Sequence, residues 1–184
     1  VEEIIDELNK IKTLWEPSGK ATVGGFQSPP GNLFKNPTRK IAQLKSIIID
    51  EIKKYYLKFQ NEQCVYIQKF PNTVNLTGWT VMLKQQGHQT AHIHPDGWLS
   101  GVIYLKVVPS LGRDEGAIEF SLNSQHYCNA DSPRVTFLPK VGDIVFFPSS
   151  LHHRTIPFTT DGDRIIVSFD LIPEHSVNQL TRLS

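Results

Sequence analysis

Five of the seven histidines fall in two short segments about sixty residues apart along the chain. These histidines are His88, His92 and His94 in the first segment and His152 and His153 in the second. Each segment abuts a run rich in β-branched and aromatic residues, 99–108 after the first and 143–147 before the second, which predicts a β-strand. Imidazole nitrogens are common ligands of first-row transition metals, so histidines carried to one place by two strands indicate a metal site. The pattern favours a metalloenzyme.

The spacing within the first segment places several metal-ligating groups on one side. Side chains alternate along an extended segment, so His92, His94 and Asp96 point the same way, and His153 would complete the site from the other strand. A 2-His-1-carboxylate face with open positions is typical of non-haem Fe(II) oxygenases. A chance cluster of packed or solvated histidines is the structural alternative, and two clusters at matching strand ends make it the weaker one.

An arginine lies eleven residues beyond His153, at the start of the apolar strand predicted over 164–171. A charged side chain in such a strand is costly unless it meets an anion. The guanidinium fork of Arg164 matches a carboxylate with two parallel hydrogen bonds. A salt bridge to Asp161 or Asp163 is the structural alternative, but together with the histidines Arg164 indicates an anchor for a dicarboxylate cosubstrate.

This order of residues resembles the 2-oxoglutarate/Fe(II)-dependent oxygenases of the double-stranded β-helix fold. The resemblance is closer to a bacterial and phage branch that is often fused behind tetratricopeptide repeats, and it covers residues 24–173. The matching motifs are Gly25-Phe26-Gln27-Ser28, Trp79-Thr80-Val81-Met82-Leu83, His92-Ile93-His94-Pro95-Asp96-Gly97-Trp98-Leu99-Ser100, Phe147-Pro148-Ser149, His153-Arg154-Thr155-Ile156-Pro157-Phe158, Arg164 and Phe169-Asp170. His152 departs from the pattern, because that branch tends to carry tryptophan there.

The resemblance implies an enzyme that uses Fe(II), 2-oxoglutarate and dioxygen to hydroxylate a substrate, with release of succinate and carbon dioxide. Arg164 would bind the cosubstrate, with further hydrogen bonds from hydroxyl groups of strand residues: Thr80, Ser100, Tyr104 and Ser168. Three residues near the site are weaker candidates for substrate contact: Trp98, His152 and His88. A protein side chain is the first candidate for the substrate, and a small metabolite is nearly as good.

A fainter likeness to aspartyl/asparaginyl β-hydroxylases bears on which residues bind iron. In those enzymes Val-Met-Leu precedes a histidine, and the ligand histidine follows four residues later. When this pattern is aligned with Val81-Met82-Leu83 and His88, it implies that His92 is a ligand and His153 the distal ligand. His94 then stands where the His-x-Asp motif has its aspartate. The rival set is His94, Asp96 and His153, and the sequence leaves it open.

Two other functions stay open at this point. A cupin-like metalloenzyme would use three histidines without 2-oxoglutarate, but it would need no anchor at Arg164. A non-enzymatic jelly-roll module could bind carbohydrate or peptide and hold a structural metal ion. Structural sites are closed, however, whereas two or three protein ligands leave coordination positions free.

The elements that must position these residues are strands, with helices before them. Apolar residues at helical spacing predict a first helix from Val1 to Trp15, ended by Pro17, and a second over about 37–59. Residues 16–36 are rich in glycine and proline and predict a loop. Strands are predicted over 64–70, 76–84, 99–108, 117–121, 134–138, 143–147 and 164–171. A strand series without intervening helices favours a mainly β fold, a double-stranded β-helix (jelly roll) buttressed by the two N-terminal helices.

Composition places limits on the class of protein. The chain has 184 residues, enough for a single domain with helical support over 1–62, a core over 63–173 and a tail over 174–184. A net charge of +1 gives no reason to expect a nucleic-acid or membrane partner. The two cysteines and the absence of a signal-like N-terminus favour the cytoplasm. The oligomeric state is left open, a dimer included.

Overall fold

The computed structural model describes residues 1–29, 31–124 and 127–174. Its helices are α1 (Glu2–Leu8), α2 (Arg39–Phe59) and α3 (Val65–Gln68). Its strands are β1 (Leu14–Trp15), β2 (Thr22–Gln27), β3 (Val74–Gln89), β4 (Leu99–Lys106), β5 (Ile118–Ser121), β6 (Arg134–Phe137), β7 (Ile144–Pro148), β8 (His152–Thr155) and β9 (Arg164–Pro173).

The strands form two antiparallel sheets. The larger has the order β1-β2-β3-β9-β4-β7, and the smaller has the order β6-β5-β8. Buried side chains of β5 and of the larger sheet pack together, as Ile118 does with Val102 and Ile166. This arrangement confirms the predicted double-stranded β-helix.

The outer face of the larger sheet is covered by helices. Side chains of α2 recur at helical spacing and are buried on one stripe: Ile41, Leu44, Ile48 and Ile52. They pack with the alternate residues of β4 and β9 that face outward, such as Ile103, Val167 and Phe169. The amphipathic helix and the strand pattern therefore agree, and the predicted helical buttress is confirmed.

The inner face of the larger sheet carries the remaining alternate residues. Val81 of β3, Tyr104 of β4 and Ile166 of β9 form a second apolar cluster with the smaller sheet. Because side chains alternate along a strand, Arg164, Ser168 and Asp170 share this inner face. The polar residues of the candidate site are thus set into the interior between the sheets.

The N-terminal predictions are partly wrong. The first helix ends at Leu8 rather than Trp15, because Leu14 and Trp15 form β1 and pair with β2. The predicted loop over 16–36 contains β2, whose glycines allow close approach to β3. A Cβ at Gly25 would lie 2.6 Å from the carbonyl oxygen of Met82. Gly25 therefore allows the two strands to pair closely and does not form a turn.

The predicted strand over 64–70 is also wrong, since this segment forms α3. Tyr66 of α3 stacks on Trp98 with ring centroids 5.3 Å apart, and its hydroxyl donates to the Trp98 carbonyl oxygen at 2.9 Å. These contacts fix the short helix against the start of β4, and they override the β-branched local sequence.

Among the helices of the described ranges, none is both long and apolar enough to cross a bilayer. The predicted boundaries at 62 and 173 stay predictions. Residues 175–184 of the predicted tail lie outside the described residues.

Candidate metal centre and cosubstrate site

Backbone pairing brings the two histidine segments together. His92 and His153 exchange main-chain hydrogen bonds of 3.0 and 3.1 Å, and the His94 amide donates to the Ser149 carbonyl oxygen at 2.9 Å. These hydrogen bonds place the segment between β3 and β4 against the turn that joins β7 to β8. His92, His94 and His153 each offer one ring nitrogen, and these nitrogens lie within 4.8 Å of one another.

The hydrogen bonds of the three rings show which nitrogens are free for a metal. The Nδ1 atom of His92 lies 2.7 Å from the Thr90 carbonyl oxygen, and that of His153 lies 3.0 Å from the Leu151 carbonyl oxygen. The Nδ1 atom of His94 lies 2.6 Å from Asp170 Oδ1. Each of these acceptors requires a proton on Nδ1, which leaves the lone pair on Nε2. The Nε2 atoms of His92 and His94 are only 3.3 Å apart, so two acceptors face each other where a cation fits.

The charge state of His92 and His153 suits metal binding. Burial lowers the pKa of His92 to about 4 and that of His153 to about 3. These imidazoles are therefore neutral at pH 7, as a metal ligand must be. Imidazole donors are suited to Fe, Zn, Cu or Ni.

A polar network lies behind His94. Ser100 Oγ donates to Asp170 Oδ1 at 2.6 Å, and Ser149 Oγ lies 2.7 Å from Ser100 Oγ. A Cβ at residue 97 would lie 2.5 Å from Ser149 Oγ, so Gly97 is needed for the chain to pass this network. The turn after His94 is therefore shaped by the groups that contact its ring.

The second polar centre is Arg164, of which 2% is exposed. Its Nε donates to the Gly116 carbonyl oxygen at 3.2 Å, and its guanidinium carbon lies 5.0 Å from the centroid of the Tyr104 ring. Arg164 Nη1 and the Tyr104 hydroxyl are buried and have no hydrogen-bond partner among the described residues. No carboxylate in the described ranges forms an ion pair with Arg164, so Asp161 and Asp163 are not its partners. A buried cation with a free donor could bind an anion.

The other predicted cosubstrate contacts divide between the two faces of the larger sheet. Ser168 and Tyr104 lie on the inner face with Arg164. Ser100 shares that face, but its hydroxyl is bound to Asp170 and lies 2.9 Å from His94 Nδ1. Thr80 pairs with Val167 on the outer face and donates to the Ile166 carbonyl oxygen at 3.1 Å. The structure therefore does not bring Thr80 to the site.

A cavity of about 490 Å³ opens over His92 and His94. Trp79, Gln27 and Asp96 also line it. Asp96 is exposed and does not belong to the cluster formed by the three histidines. Among the predicted substrate contacts, Trp98 packs on Tyr66 and does not line this cavity. His88 and His152 do not line it either.

Sequence reasoning gave no role to three residues that the structure places at the site: Gln27, Ser149 and Asp170. Gln27 lines the cavity from β2, where a loop was predicted. In the sequence, Asp170 belongs to the Phe169-Asp170 motif, which assigns it no role at the metal. Its even spacing from Arg164 along β9 was the signal that both share one face of the sheet.

Comparisons with known proteins identify the family of this chain. Residues 77–170, just over half of the chain, match a family model described as "Putative 2OG-Fe(II) oxygenase". That range includes the three histidines, Arg164 and Asp170. No curated protein matches the chain by sequence.

Solved structures of the same fold include several oxygenases. A Pseudomonas putida prolyl-4-hydroxylase is 14% identical with a TM-score of 0.60, over 95% of this chain and 83% of its own. A Trichoplax adhaerens prolyl hydroxylase in complex with a peptide fragment is 12% identical with a TM-score of 0.61, over 93% and 75%. Streptomyces hygroscopicus HygX with nickel and 2-oxoglutarate bound is 12% identical with a TM-score of 0.57, over 94% and 77%. Because the family model matches residues 77–170, which include the three histidines and the buried arginine, this chain belongs to the 2-oxoglutarate- and Fe(II)-dependent oxygenases.

Proposed function

We propose that His92, His94 and His153 hold the Fe(II) ion of this oxygenase through their Nε2 atoms. The observation that supports this set is that each ring has Nδ1 next to an acceptor, while one ring nitrogen of each histidine lies within 4.8 Å of the other two. Asp96 belongs to the rival set, and it is exposed and outside the cluster. Three protein ligands leave positions free for a cosubstrate and for dioxygen.

Arg164 binds the distal carboxylate of 2-oxoglutarate in this proposal. Its unpaired Nη1 and the unpaired Tyr104 hydroxyl supply two donors in a buried setting. A cupin-like enzyme without this cosubstrate, or a module with a structural metal, would leave that buried cation without a partner. Ser168 lies on the same inner face and is a further contact.

The substrate enters the cavity of about 490 Å³ above His92 and His94. Bound Fe(II), with 2-oxoglutarate and dioxygen, supplies the oxidation of a substrate C–H bond to an alcohol, with release of succinate and carbon dioxide. Trp79 supplies an apolar wall, since its ring lies 5.3 Å from that of His94, while Gln27 and Asp96 supply polar contacts. The volume suits a peptide side chain or a small metabolite. The Trichoplax structure holds a peptide fragment, and a second HygX structure holds hygromycin B, so both classes occupy this fold.

Succinate release tests the proposal directly. Purified protein is incubated with Fe(II), ascorbate and 2-oxoglutarate, first alone and then with pooled peptides or pooled metabolites. We expect slow uncoupled turnover that one pool raises, and loss of both bound iron and succinate in His153→Ala.

The Asp96→Asn variant decides between the two ligand sets. It keeps stoichiometric iron if His92 completes the set, and it loses iron if Asp96 is a ligand. Stoichiometric iron in His153→Ala would contradict both sets. A folded, iron-loaded wild type that neither binds 2-oxoglutarate nor forms succinate would contradict the function.

A further inference from the structure

A buried carboxylate lies one imidazole ring away from the proposed metal position. Asp170 is 7% exposed, and its Oδ1 lies 2.6 Å from His94 Nδ1. The other two histidines of the trio donate to neutral main-chain carbonyls, those of Thr90 and Leu151. His94 alone among them has a charged acceptor, and charge-assisted hydrogen bonds are roughly twice as strong as neutral ones.

The carboxylate is itself held in place by two serines. Ser100 stands directly opposite Asp170 in the β4–β9 pairing and donates to Oδ1 at 2.6 Å. Ser149 Oγ lies 2.7 Å from Ser100 Oγ, and both serines are fully buried. The three side chains form one chain of hydrogen bonds that ends on the His94 ring. Such a chain fixes both the position and the tautomer of the ring.

No lysine or arginine of the described ranges pairs with Asp170; its one ionisable partner is His94. A buried carboxylate without a cationic partner is costly. A divalent ion on the far side of the His94 ring would supply the missing positive charge through that ring. Such an ion would account for the burial of Asp170 without contacting its carboxylate.

We infer that Asp170 is a positioning residue of the metal centre, which acts through His94 and takes the place of a carboxylate ligand. The inference rests on the proposed ligand set. It predicts that Asp170 holds Nε2 of His94 toward the ion and strengthens it as a donor. Loss of such an outer partner weakens metal affinity by about 10- to 100-fold.

The test is titration of the metal-free full-length chain with Co(II) alone, with the dissociation constant measured by competition against a chelator. Asp170→Asn keeps an acceptor of the same shape but removes the charge, and it should raise the Co(II) dissociation constant about tenfold or more. Asp170→Leu should raise it further. Asp163→Asn is the matched control, because it removes an equal charge from a carboxylate that pairs with Lys84 and lies outside the three-histidine cluster, and it should change the constant less than twofold.

A double-variant cycle shows whether Asp170 acts through His94. In the His94→Ala background, Asp170→Asn should have no further effect on Co(II) affinity. An equal effect in both backgrounds would overturn the inference, because the carboxylate would then act on the ion independently of the ring. A Co(II) constant within twofold of wild type in Asp170→Asn would overturn it too.

Two further measurements separate this role from a structural one. If Asp170→Asn lowers the melting temperature of the metal-free protein and leaves Co(II) affinity unchanged, Asp170 only supports the fold and the inference fails. Ser100→Ala leaves the Asp170 carboxylate in place and removes only one hydrogen bond to it, so it gives a readout if Asp170→Asn does not fold. It should weaken Co(II) binding, but less than Asp170→Asn does. Loss of Co(II) from Asp96→Asn would instead overturn the proposed ligand set, and the cycle with His94→Ala would still report on Asp170.

Discussion

Replacing Arg164 by methionine tests the cosubstrate site most directly. Methionine keeps much of the length of the arginine side chain but has no donor for a carboxylate. Arg164 is the largest fully buried side chain among the described residues, and its Nη1 has no partner there. The same substitution therefore has two separate consequences, one for stability and one for binding.

The effect on stability should be small. The variant loses a hydrogen bond from a charged donor to Gly116, worth about 1.5–3 kcal/mol, and a cation–π contact with Tyr104, worth about 0.5–2 kcal/mol. It also removes the cost of keeping a guanidinium out of water, which is several kcal/mol for a buried ion. These contributions nearly cancel, so we expect the free energy of unfolding of the cosubstrate-free protein to change by less than about 2 kcal/mol.

The effect on binding should be large. Truncating one partner of a buried charge pair costs about 2–5 kcal/mol, which raises the 2-oxoglutarate dissociation constant roughly 30-fold to several-thousand-fold. Calorimetric titration of the metal-loaded protein under anaerobic conditions measures this constant, and urea unfolding measures stability. Metal affinity should stay unchanged.

Lys84→Met is the matched control. Lys84 is a half-exposed cation of β3 that pairs with Asp163, and its neighbour Leu83 stands opposite Arg164. Its loss should leave 2-oxoglutarate affinity within about twofold of wild type. The reasoning is refuted if Arg164→Met binds 2-oxoglutarate normally, or if it unfolds the protein as the loss of a structural ion pair would.

Three further predictions concern stability and the cosubstrate. Burial holds the pKa of His153 at about 3 when folded, against about 6.5 when unfolded, so the unfolded chain takes up the proton first and the metal-free protein loses stability as pH falls below about 6.5. In urea unfolding, the free energy of unfolding of His153→Gln should fall by up to about 3 kcal/mol less than that of wild type between pH 7 and pH 4. Equal pH dependence of the two free energies would contradict this. Tyr104→Phe removes a buried hydroxyl without a partner, so it should raise the melting temperature of the cosubstrate-free protein while it weakens 2-oxoglutarate binding about tenfold in titration. Gly101→Ala would place a Cβ 2.3 Å from Phe169 Cζ, and denaturant titration should show a loss of about 1–3 kcal/mol.

Strong periodicity made the core of this fold predictable from sequence. The stripe of α2 and the alternation in β4 and β9 depend on burial on one face, which the local residue pattern reports. The sequence predicts a loop in place of β2 because Gly24 and Gly25 are typical loop residues. Their role is the close approach of β2 to β3, which depends on tertiary packing. α3 was missed because Tyr66 and Trp98, far apart in the chain, decide its conformation.

The candidate site was predictable to the extent that its residues lie on predicted strands. His92, His94 and His153 were all named, since their types alone suggest metal chemistry. The orientation of each ring was not predictable, because it depends on acceptors such as Thr90 and Asp170 that only the folded chain brings near. Thr80 was placed in the site from its residue type, whereas the register of β3 turns it to the other face.

The charges of the proposed site balance in a way that explains its unusual ligand set. Three neutral imidazoles leave the charge of Fe(II) unreduced, and Arg164 adds a further positive charge in the same interior. A 2-oxoglutarate dianion offsets two of these three charges, and the Asp170 carboxylate, hydrogen-bonded to His94, offsets the third. A set with Asp96 on the metal would leave Asp170 as an excess buried anion, which burial disfavours. Electrostatic balance therefore supports His92, His94 and His153 as ligands independently of their geometry. In this arrangement the Asp170 carboxylate does not bind the metal but hydrogen-bonds to the ligand His94.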